Sequence, residues 1–422
     1  MSRLKRHFLF CGLALVLASG CGKAAVGLFP PTDTFFWPVA LVADPQGDYL
    51  YVVNGNFDLN YNTGTVAVVD LKTNVVVSSS TIRLGSFGGD IGLFSVEQDG
   101  VRVATRGFVT TRELRALTWF DISRDETTHE PRMNCRLEAD PEAKHPPACE
   151  DKYVIADNDT FADLGADVFS LAIGQVDGTS YAFTGSLRDT ECLNGVGTCA
   201  KISAFSIEDG DTQLIAQQDF VIGAHGIAVS PLTGELYVTS RFFDTIQTMK
   251  LNRNTTTETG YSLDLVGTFS VGNLGNTGDF SRQIVFNKSG TRAYIAYRNP
   301  SSIVVLDTSL DPDDRPYNRI LDVVEIGASP SDLKLVYNER LQRDLAYIVC
   351  FGTNEIWVLD TELLAVIDRV RIRKGPFKIA VVDNPKLGLK RAYITNFEDN
   401  TVTVLELDES SPFYHQEIAS LN

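Results

Sequence analysis

The sequence predicts an all-β protein, a seven-bladed β-propeller of four-stranded antiparallel blades, from a recurring unit of roughly fifty residues and seven short strands of one pattern. The recurring unit is a small-x-aliphatic segment, a turn, and an apolar-Tyr-apolar segment. It is seen from Ala40-Leu41-Val42 to Leu50-Tyr51-Val52, Ile227-Ala228-Val229 to Leu236-Tyr237-Val238, Ile284-Val285-Phe286 to Ala293-Tyr294-Ile295, and Ile379-Ala380-Val381 to Ala392-Tyr393-Ile394. Tyr181, Tyr237, Tyr294, Tyr347 and Tyr393 mark successive units. Each unit continues into an alternating strand rich in β-branched and aromatic residues: Thr65 to Asp70, Ala116 to Asp121, Lys201 to Ser206, Thr245 to Lys250, Ser302 to Asp307, Glu355 to Asp360, and Thr401 to Glu406. Gly, Asn, Asp and Pro turns separate them, which is the pattern of an all-β array. A twisted four-stranded sheet has two apolar faces and cannot bury both alone; stacking around an axis covers both.

Blades are expected at about 37–88, 89–156, 165–221, 223–272, 280–327, 329–375 and 376–421, with long insertions in the second and third. The last unit has its own fourth strand, Tyr414 to Leu421, so the ring is expected to close without borrowing an N-terminal strand.

The segments Tyr51-Val52-Val53-Asn54, Tyr237-Val238-Thr239-Ser240 and Tyr393-Ile394-Thr395-Asn396, each followed by a Val-Ile-Asp-Thr-like strand, resemble the YVTN repeat of bacterial and archaeal seven-bladed propellers. The resemblance covers residues 37–421 and is strongest over 223–408. Some propellers of this kind are hydrolases of lactonase type, so the resemblance admits that activity without assigning it.

Residues 1–20 read as an export signal: a basic start with Arg3, Lys5 and Arg6, an apolar run from Phe8 to Leu17, and small residues before Cys21. The run is too short to span a bilayer, which takes about 20 apolar residues. Leu17-Ala18-Ser19-Gly20-Cys21 resembles the signal of bacterial lipoproteins, which implies that Cys21 becomes the lipidated first residue. The usual leucine position holds Ala18; an ordinary secretory signal is the other reading. Gly22 after the cysteine implies the outer membrane, and residues 21–36 would tether the propeller, stiffened by Pro30-Pro31.

The formal charge is -17, and loss of residues 1–20 removes only positive charge. Nucleic acid is thereby excluded as a partner, since phosphate neutralisation demands clustered Lys and Arg. Beyond the signal and Cys21, the cysteines form two near neighbours in loop-like sequence, Cys135 with Cys149 and Cys192 with Cys199, and both pairs are expected as disulfides in an oxidising compartment. A metal site is the alternative, with His129 and His145 nearby. Cys350, in an apolar strand, is expected to be an inert buried thiol.

No G-x-S-x-G, H-E-x-x-H, C-x-x-C-H or G-x-x-x-x-G-K-[ST] motif is present. The acids that end the third strands (Asp70, Asp121, Asp307, Asp360, Glu406) read as turn formers rather than a metal ring. Asp157-Asn158-Asp159 with Asp163 lacks the glycine and terminal glutamate of a calcium loop. The stronger candidates lie at the start of each first strand, where alignment of the units places Asp90, Asp167, His225, Arg282, Asp332 and Lys378 at the mouth of a central channel, with Lys334 farther on. Convergent charges there suit a small polar ligand or a divalent cation; no other cofactor is implied. The inserted loops, 124–151 and 186–200, are a second candidate surface, beside Phe242 and Phe243. The function expected is a lipid-anchored envelope module that binds a protein, glycan or small polar ligand without catalysis. The alternatives are a lactonase-like hydrolase acting at the channel mouth and a structural part of an envelope complex.

Overall fold

A computed structural model describes residues 27–136, 145–156, 163–188, 192, 199–208, 210–272 and 280–422. The export signal, Cys21 and the Asp157–Asp159 stretch lie outside the described residues. The described chain forms seven antiparallel sheets, and its helical content is two 3₁₀ turns, Ser78–Ser80 and Asp151–Tyr153. The first strands of the seven blades are Pro38–Ala43, Gly88–Gln98, Ala166–Val176, Ala224–Val229, Ser281–Phe286, Pro330–Asn338 and Pro376–Asn384. Each packs against the first strand of the next blade, and the first strand of blade one packs against that of blade seven, which closes the ring.

Burial peaks in the middle strands of each blade: the first strands are partly open to the channel, and the fourth strands face solvent. Gly64–Asp70, the third strand of blade one, is buried at six of seven positions because neighbouring blades cover both its faces. Arg319–Glu325, the fourth strand of blade five, is exposed at six of seven. This explains why the third strands read as near-continuous apolar runs and the outer ones do not. In blades one and two the fourth strand is split. Val75–Val76 and Ile82–Leu84 both pair with Gly64–Asp70, while Pro131–Asn134 and Val154–Ile155 both pair with Ala116–Arg124. The insertion of blade two runs between the latter pair, and the disulfide Cys135–Cys149 ties its ends.

The repeat residues are inter-blade fasteners. The Thr239 hydroxyl accepts the Gly226 amide at 3.0 Å and donates to the Arg282 carbonyl of the next blade at 3.0 Å. Thr110 does the same between the Asp90 amide (2.9 Å) and the Phe169 carbonyl (2.8 Å). A Cβ at Gly226 would lie 2.1 Å from the Arg282 carbonyl oxygen, so this close approach of two backbones requires glycine. At the seam, Asn384 Nδ2 donates to Gly47 O at 3.2 Å and Asp48 Oδ1 at 3.0 Å, and Trp37 N donates to Asn400 Oδ1 at 2.6 Å. Blade seven contributes its own fourth strand, Glu417–Leu421.

Cys192 and Cys199 depart from the sequence expectation. They are free thiols whose sulfurs and an Asp219 carboxylate oxygen lie within 4.8 Å of one another, and Cys199 hydrogen-bonds Asp219 at 3.5 Å instead of bonding covalently to its neighbour. Burial, then the hydrogen bond with Cys192 and the negative charge of Asp219, to which the thiol donates, push the Cys199 pKa far up. Cys350 is fully buried, and burial raises its pKa likewise.

Candidate functional site: the central channel

Every first strand carries a register irregularity close to its start, where one extra residue breaks the ladder with the second strand. Such a bulge re-aims side chains. The residue two places past the last paired position before the irregularity is Ala40, Asp90, Ser170, Gly226, Gln283, Asp332 and Lys378 in blades one to seven. The residue just before it is Val39, Gly89, Phe169, His225, Arg282, Ser331 or Phe377. The sequence candidates therefore divide into two layers.

The first layer is polar. Lys378 Nζ pairs with Asp90 Oδ2 at 2.9 Å, reaching past blade one, which places only Ala40 at this level. Asp332 is 1 % exposed; its Oδ2 accepts the Ile379 amide at 3.1 Å, and its Oδ1 has no hydrogen-bond partner among the described residues. Burial by itself would lower the Lys378 pKa, but the carboxylates of Asp90 and Asp332 more than offset it, so the ammonium stays charged. These residues floor a cavity of ≈ 420 Å³ whose walls include Leu41, Ile91, Leu171 and Leu335, and whose outer part holds Lys334 and Asp383. Gln283 also lines it, a residue that sequence alignment by charge passed over.

The second layer is aromatic and cationic. Phe169 of blade three lies 6.4 Å from Phe377 of blade seven, ring centre to ring centre; Phe377 also contacts Phe351 and Phe397, and Phe169 packs on His225 at 4.7 Å. Rings from opposite sides of the propeller thus cross its axis near the starts of the first strands. The sequence reading placed the mouth at that end; the cavity instead lies on the other side of the rings and extends toward the strand ends, because Phe169 and Phe377 fill the axis.

Asp167 is also not where the alignment put it. The first strand of blade three starts two residues early, pairing Ala166 with Arg188, so Asp167 precedes the bulge and Phe169 takes the channel position. Asp167 is instead held by Arg112 at 3.0 Å and Arg188 at 3.6 Å. His225 and Arg282 are buried in the ring layer, not on the cavity floor. Burial, and then the positive charges of Arg282, Lys378, Arg241 and Arg298, hold the His225 pKa well below its usual value.

A stability consequence follows from His225. A histidine kept neutral in the fold but protonated when unfolded contributes fully above about pH 6.5, and its contribution is lost as the pH falls below that value. His415, whose pKa burial also lowers despite its contact with Asp368, acts in the same direction. Unfolding free energy should therefore fall as the pH drops below 6.5, at up to about 1.4 kcal/mol per pH unit from His225, with His415 adding in the same direction. Denaturant melts from pH 7.5 to 5 should show a shallower slope for His225→Gln than for the unsubstituted chain. Equal slopes would contradict a neutral buried His225.

Four of the five acids assigned to third-strand ends, Asp70, Asp307, Asp360 and Glu406, are turn formers that accept following backbone amides, whereas Asp121 lies within the strand Ala116–Arg124 and pairs with Arg106 at 3.0 Å. Asp70 Oδ1 accepts the amides of Lys72 and Thr73 at 2.8 and 2.9 Å, and Asp360 Oδ1 those of Glu362 and Leu363 at 3.0 Å. Asp163, from the calcium-like stretch, is paired with Lys201 at 2.6 Å. Among the described residues, the one set of three potential metal ligands in mutual reach is Cys192, Cys199 and Asp219, away from the cavity. Phe242 is half-buried under the Arg241 guanidinium, and Phe243 is 45 % exposed.

No protein-family model matches the chain, and no curated protein matches it. Solved structures do. The periplasmic gluconolactonase of Pseudomonas aeruginosa is 14% identical with a TM-score of 0.52, over 81% of this chain and 86% of that one. A functionally unknown protein from Desulfotomaculum acetoxidans is 16% identical with a TM-score of 0.52, over 85% of this chain and 92% of that one. Hydrazine synthase of Kuenenia stuttgartiensis is 14% identical with a TM-score of 0.51, over 91% and 98%. Identities this low establish a shared propeller fold and nothing about chemistry.

Proposed function

We propose that the chain is an exported, lipid-anchored binding protein of the cell envelope that takes a small polar solute into its central channel. The observation that carries this reading is the buried Asp332 carboxylate, with one oxygen lacking a donor, on the floor of a ≈ 420 Å³ cavity beside the Lys378–Asp90 pair. Ligand sites are typically concave, mostly apolar and fixed by a few convergent polar groups, in volumes of about 300–1,000 Å³. The volume and the convergent polar groups fit that description, and this cavity is more polar than most, with aliphatic side chains between its charged groups. Disulfide-bonded Cys135 and Cys149 support the oxidising compartment that the Cys21 signal implies.

Two measurements test the reading. Metabolic labelling with a fatty-acid analogue should mark the chain and place it in the membrane fraction, and Cys21→Ser should abolish both; a labelled Cys21→Ser chain would refute the anchor. Thermal-shift screening of the purified body against polar metabolites should find a stabilising ligand whose effect Gln283→Trp, which fills the cavity, removes. Turnover of a sugar lactone, lost in the same variant, would replace binding by hydrolysis, with Asp332 as the available base.

A further inference from the structure

We infer that the channel ligand is a small organic cation, a primary ammonium on a short aliphatic body, whose N–H donates to Asp332 Oδ1. This rests on the channel-binding reading and goes further by naming the chemistry. A buried carboxylate oxygen with no donor is unfavourable unless something that enters the site supplies one. Asp332 meets that description: its other oxygen is satisfied by the Ile379 amide, and Lys378 gives its ion pair to Asp90 rather than to Asp332.

The charge balance selects the sign. Among the residues that line the floor, two carboxylates, Asp90 and Asp332, face one ammonium, Lys378, which leaves one negative charge over; Arg282 is buried in the ring layer and does not line the cavity. Farther out, Lys334 offsets Asp383, and Asp44 is held by Arg124 at 2.7 Å. One ligand cation restores neutrality where an anion would double the imbalance, and a buried charge without a counter-charge is strongly disfavoured. Leu41, Ile91, Leu171 and Leu335 give methylene groups of such a ligand apolar surface to meet between the charged groups. The cavity sits at the small end of the ligand-site range, which limits the occupant to a compact molecule.

The experiment is calorimetric titration and thermal shift of the mature protein with n-butylammonium, its neutral isostere n-butanol, butyrate, glucose and calcium chloride. Butylammonium should bind saturably and raise Tm, with butanol at least tenfold weaker. Asp332→Asn should weaken butylammonium at least tenfold while its ligand-free Tm matches or exceeds that of the unsubstituted protein. Asn keeps an oxygen for the Ile379 amide and removes the unbalanced charge, so lost binding would not reflect lost folding. Tighter binding of glucose, butyrate or calcium than of butylammonium overturns the inference, as does unchanged binding by Asp332→Asn. If one of those other probes binds and Gln283→Trp abolishes it, the channel reading stands and the cation falls. If no probe of any class binds, both fall.

Discussion

Replacing Lys378 with methionine is expected to cost about 3–5 kcal/mol of folding stability, the usual loss when one member of a buried ion pair is removed. The ammonium is buried and serves two carboxylates, Asp90 by a direct 2.9 Å contact and Asp332 through space. Methionine fills a similar volume, so the loss would come from charge rather than packing. Without Lys378, two carboxylates face a channel walled by aliphatic side chains, and both must be either protonated or solvated. The double substitution Lys378→Met with Asp90→Leu should recover part of the loss, and a double-mutant cycle in denaturant isolates the coupling. A single variant as stable as the unsubstituted protein would show that water reaches this layer freely and that the pair is not a buried one.

Tyr237→Ala should cost a comparable amount, about 3–5 kcal/mol as for other large aromatic truncations. Tyr237 is fully buried and belongs to blade four, yet its ring meets Phe286 of blade five edge-on at 5.0 Å and its hydroxyl donates to Asn318 Oδ1 at 2.8 Å. The truncation opens a void at a blade interface, where neither sheet can move without breaking its own ladder. Tyr237→Phe, which loses only the hydrogen bond, should cost about 1 kcal/mol. Chemical denaturation of the three proteins separates the terms. A near-neutral alanine variant would mean that blades four and five do not depend on this contact, contrary to the closed stack.

Burial gives the repeat tyrosines a common physical role. Tyr51, Tyr237, Tyr294, Tyr347 and Tyr393 are all buried between blades, whereas their hydroxyls find different solutions: Asn318 for Tyr237, His415 for Tyr347 at 2.8 Å. The periodic part is packing and was legible from one sequence. The partner of each hydroxyl comes from a distant segment, 81 and 68 residues away in these two cases, and no local pattern announces it.

The candidate site was legible in the same partial way. Asp90, Asp332 and Lys378 stand out as charges in strands that should be apolar, and all three do line the cavity. Asp167 stands out equally but is displaced by the early start of its strand, and a small change of register carries a side chain to a different place. Phe169 and Phe377, which decide which end of the channel is blocked, are indistinguishable in the sequence from any core aromatic.

The sequence by itself determined the repeat count, the third strands, the turn-forming acids and the acidic charge, because each of these depends on side-chain periodicity or on groups within a few residues of one another. Tertiary structure alone decided the side from which the channel opens, the pairing of Lys378 with an aspartate 288 residues away, and the oxygen of Asp332 left without a donor. Those depend on bulge register and on which blades face each other across an axis, and that is a property of the closed ring rather than of any one strand.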